Sequence, residues 1–135
     1  MSATVVPPPP LSIEERAAFV RGVEEFNAGL FYECHDTLEE LWAGVRGPSR
    51  DFFQGLIQVA VGFYHLGNHN PVGAERLLGR ALKRLEGYPL QYAGLDVGAL
   101  RADVGEWRRL LRAGVAPAAG PREPPRIRLV SEERG

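Results

Sequence analysis

The stretch from Ser49 to Leu66 constrains the fold more than any other part of the chain. Wound as an α-helix, it carries apolar side chains over most of its circumference, so neighbouring elements must cover most of its surface. The remaining stripe is narrow and uncharged, because Gln54, Gln58 and His65 project within roughly 40° of one another. This pattern predicts the central helix of an all-helical domain. The stripe faces either a specific polar partner or, as the alternative, solvent.

Helical periodicity and capping residues predict four further helices around this one. Ser12 with Glu15 forms a capping-box pattern, which predicts a first helix that begins at Ile13. The second helix begins after Gly29, and the others begin after Asn70-Pro71 and after Asp96. No stretch alternates with a period of two residues. The fold is therefore predicted to be all-α, a compact bundle of about five helices built from antiparallel helical hairpins and loosely similar to tetratricopeptide repeats.

The capped, periodic segments are confined to residues 12–113, which predicts a single helical domain there. Residues 1–11 end in a run of prolines and are predicted to form a flexible, proline-rich N-terminus. Residues 114–135 are rich in proline, glycine and charge, which favours an extended or disordered tail. Ile127 to Val130 contains the few apolar side chains by which this tail could pack on its own body or on a partner.

Composition narrows the classes of function. The net charge of −1 gives no general reason to expect binding to nucleic acid or to an anionic membrane. No run of about 18 apolar residues occurs, so no membrane span is expected. Cys34 is the single cysteine, which excludes an intramolecular disulfide and fits a reducing cytoplasm. Cys34 also falls on the apolar arc of its helix, so we interpret it as a core residue and not as a nucleophile.

The second helix carries the residues with the clearest chemistry. His35 and Glu39 are one turn apart and therefore neighbours, at the edge of the apolar arc. Trp42 projects within about 20° of His35 and is expected to form a wall beside the pair. Imidazole nitrogen and carboxylate oxygen both bind divalent cations, which makes the pair a candidate metal site. Two donors do not complete such a site, and the candidates for the others are His65 and His69 with Glu33, Asp36 or Glu40.

The alternative interpretation of this corner is structural. The second and third helices are predicted to lie antiparallel, with the His35/Glu39 pair facing the stripe formed by Gln54, Gln58 and His65. A buried hydrogen-bonded network between the two helices would then fix their packing, because orphaned polar groups cost about 1–3 kcal/mol each. With or without a metal, the outer shell of the corner is expected to include Gln54, Gln58 and Tyr64.

The chain resembles a known family over this region. The residues that carry the likeness are Phe26-Asn27-x-Gly29-x-Phe31, His35-x3-Glu39-x2-Trp42 and Phe53-Gln54-Gly55-Leu56-Ile57-Gln58, followed by Tyr64-His65 and Gly67-Asn68. This pattern, which extends over about residues 15–90, is similar to domain-of-unknown-function family 309, a group of small prokaryotic proteins. The resemblance implies a compact all-helical fold. It also implies that His35, Glu39 and Trp42 form the functional motif, for which metal binding has been suggested.

Two hypotheses of function follow. In the first, the corner binds a divalent metal ion; were the chain an enzyme, this corner would favour metal-dependent hydrolysis. In the second, the chain is a non-enzymatic interaction module, in which a groove between helical hairpins receives a peptide or a second copy of the chain. The sequence assigns neither a reaction nor a substrate.

Overall fold

The computed structural model describes residues 10–114 and 123–130. Among them are five α-helices and one two-stranded antiparallel hairpin, which confirms the predicted all-α class. In chain order the elements are α1 (Ile13–Asn27), α2 (Phe31–Gly44), α3 (Ser49–Gly67), α4 (Pro71–Leu85), β1 (Gln91–Tyr92), β2 (Leu95–Asp96) and α5 (Val97–Arg112).

Local capping chemistry places the helix ends where the sequence predicts them. The Ser12 side chain accepts a hydrogen bond from the Glu15 backbone, and the Glu15 side chain accepts one from the Ser12 backbone. Asn70 and Asp96 cap α4 and α5 in the same manner through their side-chain oxygens. Gly29 has a φ of 80° between α1 and α2, a conformation that favours glycine at the end of a helix. The turn at Gly29 sets the geometry of the α1–α2 hairpin and therefore the orientation of α2.

Helix α3 is the centre of the bundle, as predicted. It packs against α2 on one side and α4 on the other, with α1 against α2 and α5 against α4. Phe31 at the start of α2 meets Phe63 near the end of α3, with ring centroids 5.8 Å apart, so the two helices are antiparallel. Gly62 allows α4 to approach closely, because a Cβ there would lie 2.8 Å from the Leu78 side chain.

The aromatic core converges on α3. Phe63 contacts rings from three other positions, with centroid distances of 6.2 Å to Phe26, 5.8 Å to Phe31 and 5.7 Å to Trp107. Because these rings belong to α1, α2 and α5, one side chain joins elements that are distant in sequence. Of the helices in the described part of the chain, none is long and apolar enough to cross a membrane.

Two features were not predicted in this form. The β1–β2 hairpin turns through Ala93 and Gly94, both with positive φ, and has no period-two pattern because each strand has only two residues. Residues 123–130, which we call the C-terminal arm, run extended along the body. Ile127 is 4% exposed, and Leu129 forms an isolated bridge with Leu95. The predictions for residues 1–9, 115–122 and 131–135 lie outside the described residues.

Candidate functional site

His35 lies near the start of α2 with a carboxylate beside each ring nitrogen. Its Nδ1 is 3.3 Å from Asp36 Oδ1, and its Nε2 is 3.4 Å from Glu39 Oε2. The i,i+4 neighbourhood of His35 and Glu39 is therefore as predicted. The imidazole is 23% exposed, whereas both carboxylates are more than half exposed. Both carboxylates are thus close to the imidazole and also accessible to a cation or an external donor.

A series of four partly exposed rings begins at His35. The ring centroids of His35 and Tyr32 are 5.8 Å apart. Those of Tyr32 and Tyr64 are 5.5 Å apart, and those of Tyr64 and His65 are 6.2 Å apart. We call these four side chains the ring row. Tyr32 and Tyr64 are 52% and 39% exposed, although both are large and partly apolar. The antiparallel packing of α2 on α3 creates the row, because it brings the start of one helix beside the end of the other.

Of the predicted further donors, Asp36 lies beside His35, but the structure brings neither of the two histidines to it. His65 is at the opposite end of the ring row, with two tyrosine rings between the histidines. His69 is exposed in the α3–α4 loop, where it has a φ of 61°. Within residues 10–114 and 123–130, no group of three or more His, Cys, Asp or Glu side chains is arranged to hold a metal ion. The metal assignment of His35 and Glu39 stays a prediction.

Trp42 lies against a different group. The guanidinium carbon of Arg50 is 3.8 Å from the centroid of the indole ring, a cation–π contact. Arg50 Nη1 also donates to the Trp42 carbonyl at 3.0 Å and to the Val45 carbonyl at 2.9 Å. The indole lines a cavity of about 550 Å³ together with Gly47, Pro48, Arg50, Asp51, Gln54 and Arg84. Arg50 thus positions the Trp42 indole, the side chain expected to lie beside His35 and Glu39, and one side of the indole lines this cavity.

The prediction that the glutamine stripe faces the His35/Glu39 pair is wrong for Gln58. Its side-chain oxygen accepts a hydrogen bond from Arg84 Nε at 3.1 Å, and Arg84 also forms an ion pair with Asp51. Gln58 is therefore satisfied by α4, whereas His65 lies in the ring row and Gln54 lines the cavity beside Trp42. The long Arg84 side chain extends from α4 to the buried glutamine and supplies the donor that it needs.

We predict that Arg50 stabilises the end of α2. Replacing Arg50 with alanine removes the cation–π contact and two donated hydrogen bonds, and should lower the free energy of unfolding by about 1–3 kcal/mol. Arg46→Ala is the matched control, because the exposed Arg46 also donates to two carbonyls but covers no ring. Urea denaturation measures both variants. Equal losses for the two would contradict the role given to the indole contact.

Cys34 is buried, as predicted. Burial raises the pKa of its thiol to about 12, and the nearby Glu25 carboxylate adds to the rise. The thiolate is the reactive form, so we expect Cys34 to resist a disulfide reagent at pH 8 in the folded protein and to react at once in urea. Stoichiometric labelling of the native protein at pH 8 would show that this part of the core opens readily.

The fold and the site define a class: an all-helical protein with a histidine–carboxylate pair at one end of an exposed row of rings. Residues 19–77 match the family model described as "Domain of unknown function (DUF309)", which confirms the resemblance stated from the sequence. The match includes His35, Glu39, Trp42 and the whole ring row.

Two curated proteins are similar to part of this chain. "Uncharacterized protein YpuF" of Bacillus subtilis (strain 168) is 36% identical over 87 residues, which is 62% of this chain and 50% of that protein. An "Uncharacterized protein" of Aquifex aeolicus (strain VF5) is 27% identical over 94 residues, or 68% of this chain and 28% of that protein. The chain thus spans half or less of the length of these relatives.

Proposed function

We propose that this protein is a non-enzymatic interaction module, whose docking surface is the ring row and whose partner is a basic segment of another protein. The observation that carries the proposal is the exposure of Tyr32 and Tyr64 side by side across two packed helices. Tyrosine is enriched in protein interfaces and at binding hot spots, because it offers a large contact area with only two side-chain torsions to fix. Single exposed apolar side chains are normal on protein surfaces, whereas contiguous ones, such as these two rings, indicate an interaction site.

The acidic side chains of α2 indicate which kind of partner this surface would bind. Helix α2 carries four acidic side chains and no Lys or Arg, and all four are exposed: Glu33, Asp36, Glu39 and Glu40. Two of them flank His35 at the edge of the ring row. An arginine or lysine that approaches this surface meets carboxylates and the faces of tyrosine rings together. Both contacts favour a cation, and the rings favour arginine in particular. The buried thiol of Cys34 agrees with a cytoplasmic setting for this interaction.

Binding of a defined probe tests the proposal. We expect fluorescein-labelled hexa-arginine to bind the full chain saturably at low ionic strength, as measured by fluorescence anisotropy, and labelled hexa-glutamate not to bind. Raising the salt concentration should weaken binding without abolishing it, because the ring contacts are less screened than the surface charges. Binding that disappears entirely at physiological salt would leave only a diffuse charge effect and would contradict a docking surface.

A divalent cation at His35 and Glu39 is a second candidate function, and the spacing of the pair favours it. Nε2 and Oε2 are 3.4 Å apart. For an ion about 2.1 Å from each atom, the Nε2–ion–Oε2 angle would be about 108°, close to the tetrahedral angle. Asp36 at Nδ1 would orient the ring, as carboxylates do for histidine ligands. A partner's side chains or water would supply the other ligands.

Thermal denaturation tests the metal candidate. A cation that binds only the folded state stabilises it, by about 2.7 kcal/mol at a hundredfold excess over Kd, so nickel or zinc should raise the Tm by several degrees. The shift should vanish in His35→Ala and persist in His69→Ala, the matched control from the α3–α4 loop. Equal shifts in both variants, or no shift in the wild type near neutral pH, would eliminate this candidate without affecting the docking surface.

A further inference from the structure

The C-terminal arm is held chiefly through its backbone. The Asn27 side chain makes two hydrogen bonds to Ile127: its Nδ2 donates to the carbonyl at 2.9 Å, and its Oδ1 accepts from the backbone N–H at 2.7 Å. On the other side, the Asp96 N–H donates to the Arg128 carbonyl at 2.9 Å, and the Val130 N–H donates to the Gly94 carbonyl. The arm thus lies between the end of α1 and the β1–β2 hairpin.

These contacts resemble those of a bound peptide. Extended peptides add to a sheet edge through main-chain hydrogen bonds, as the arm does at the hairpin, and here the Asn27 amide also pairs with the main chain of Ile127. Side-chain specificity is limited to the inward-facing residues. Ile127 is 4% exposed and Pro125 is buried, whereas Arg126 and Arg128 point to solvent.

The arm does not fill its groove. A cavity of about 220 Å³ remains between residues 123–126 and the α1–α2 turn, lined on the body side by Phe26 to Gly29 and by Phe31. The two sides of the groove differ in their relation to the family model. Asn27 and the α1–α2 turn lie within the matched residues 19–77, whereas the β1–β2 hairpin and the arm lie outside them. The matched segment therefore supplies the α1 side of the groove only.

We propose that this groove is a receptor for extended peptides, which the chain's own arm occupies in cis and which a partner's extended segment can enter. The segment would carry an aliphatic side chain at the position of Ile127 and a free backbone N–H and carbonyl at that residue, with a small or cyclic residue such as proline two positions before it. This site lies at the α1–α2 turn and the hairpin, and it does not depend on the function proposed for the ring row.

The test uses the full chain with its arm released by Ile127→Asp. The probe is a fluorescein-labelled peptide with the sequence of residues 123–130, and anisotropy measures its binding. We expect the variant to bind the probe at least about tenfold more tightly than the wild type, in which the tethered arm competes at an effective concentration in the millimolar range. Adding Asn27→Ala to the variant should weaken binding by at least about tenfold. A probe peptide with the same Ile127→Asp change is the matched control and should not bind.

Each other outcome would overturn the proposal. If the Ile127→Asp chain keeps its helical circular dichroism and does not bind the probe, the groove is no receptor. If that chain loses its helical structure, the arm is an integral part of the fold and cannot be exchanged. If the wild type is a dimer that Ile127→Asp dissociates, the trans occupant is the arm of a second copy and not a partner's segment. Limited trypsin digestion of the wild type adds a check without any variant, because an exchangeable arm should be cut at Arg126 or Arg128 before the helices are cut.

Discussion

Replacing Phe63 with alanine is expected to lower the free energy of unfolding by about 3–5 kcal/mol, the largest stability effect that we predict. Phe63 is 2% exposed and contacts rings from α1, α2 and α5, so its loss leaves a cavity that no single element can close. Urea denaturation monitored by circular dichroism measures the effect. Since small domains have only about 5–15 kcal/mol of stability, the variant could be largely unfolded at 37 °C.

Two control variants test whether the loss of stability comes from the buried position and the volume of Phe63. Phe63→Leu keeps most of the volume and should cost no more than about 1.5 kcal/mol. Tyr64→Ala removes a ring of similar size from the next residue along the same helix, but from the exposed row, and should change stability by less than about 1 kcal/mol. If Phe63→Ala costs no more than Tyr64→Ala, then α3 is not the centre of the core.

Much of this fold could be predicted because its signals are local. Capping residues such as Ser12 and Asp96 act within one turn of the helix that they begin, so their effect can be read from a few neighbouring residues. The His35–Glu39 contact was predictable for the same reason, since both side chains project from one helix face. The apolar circumference of α3 likewise identified the central helix before any neighbour was known.

What could not be predicted depends on side chains that reach across from other elements. Periodicity gives the direction in which Gln58 projects from α3, but it does not say that Arg84 of α4 extends to meet it. The same holds for Arg50 and the indole of Trp42. The position of the C-terminal arm rests on one buried isoleucine and one asparagine 100 residues away, which no sequence window contains. The ring row requires the register of α2 on α3. Its one local signal was the spacing of Tyr32 and His35, three residues apart.

The largest effect on function is expected from the double variant Tyr32→Ala/Tyr64→Ala. Removing both rings eliminates the contiguous exposed aromatic surface and leaves the acidic side chains of α2 in place. Truncating one hot-spot aromatic residue costs about 2 kcal/mol of binding free energy or more, which is about thirtyfold in affinity, so the loss of both rings should weaken binding of the hexa-arginine probe by at least that factor. Leu90→Ala is the matched control, because Leu90 is 67% exposed and lies outside the row. It should leave the affinity unchanged.

The stability of the double variant separates loss of binding from loss of fold. Both tyrosines are partly exposed, so its urea midpoint should stay close to that of the wild type. The reverse pattern is expected for Phe63→Leu, which should lose some stability and keep its affinity. A double variant that binds the probe as tightly as the wild type would show that charge alone accounts for binding.

Nuclear magnetic resonance titration of the ¹⁵N-labelled full chain with hexa-arginine tests the central claim most directly, because it locates the contact. We expect saturable shifts of the backbone amides of Tyr32, His35, Tyr64 and His65, and no shifts of the amides around the Trp42 cavity. The same titration of Tyr32→Ala/Tyr64→Ala should give small, unsaturated shifts. Shifts that spread over all acidic surfaces of the protein, or that persist in the double variant, would contradict a docking surface at the ring row.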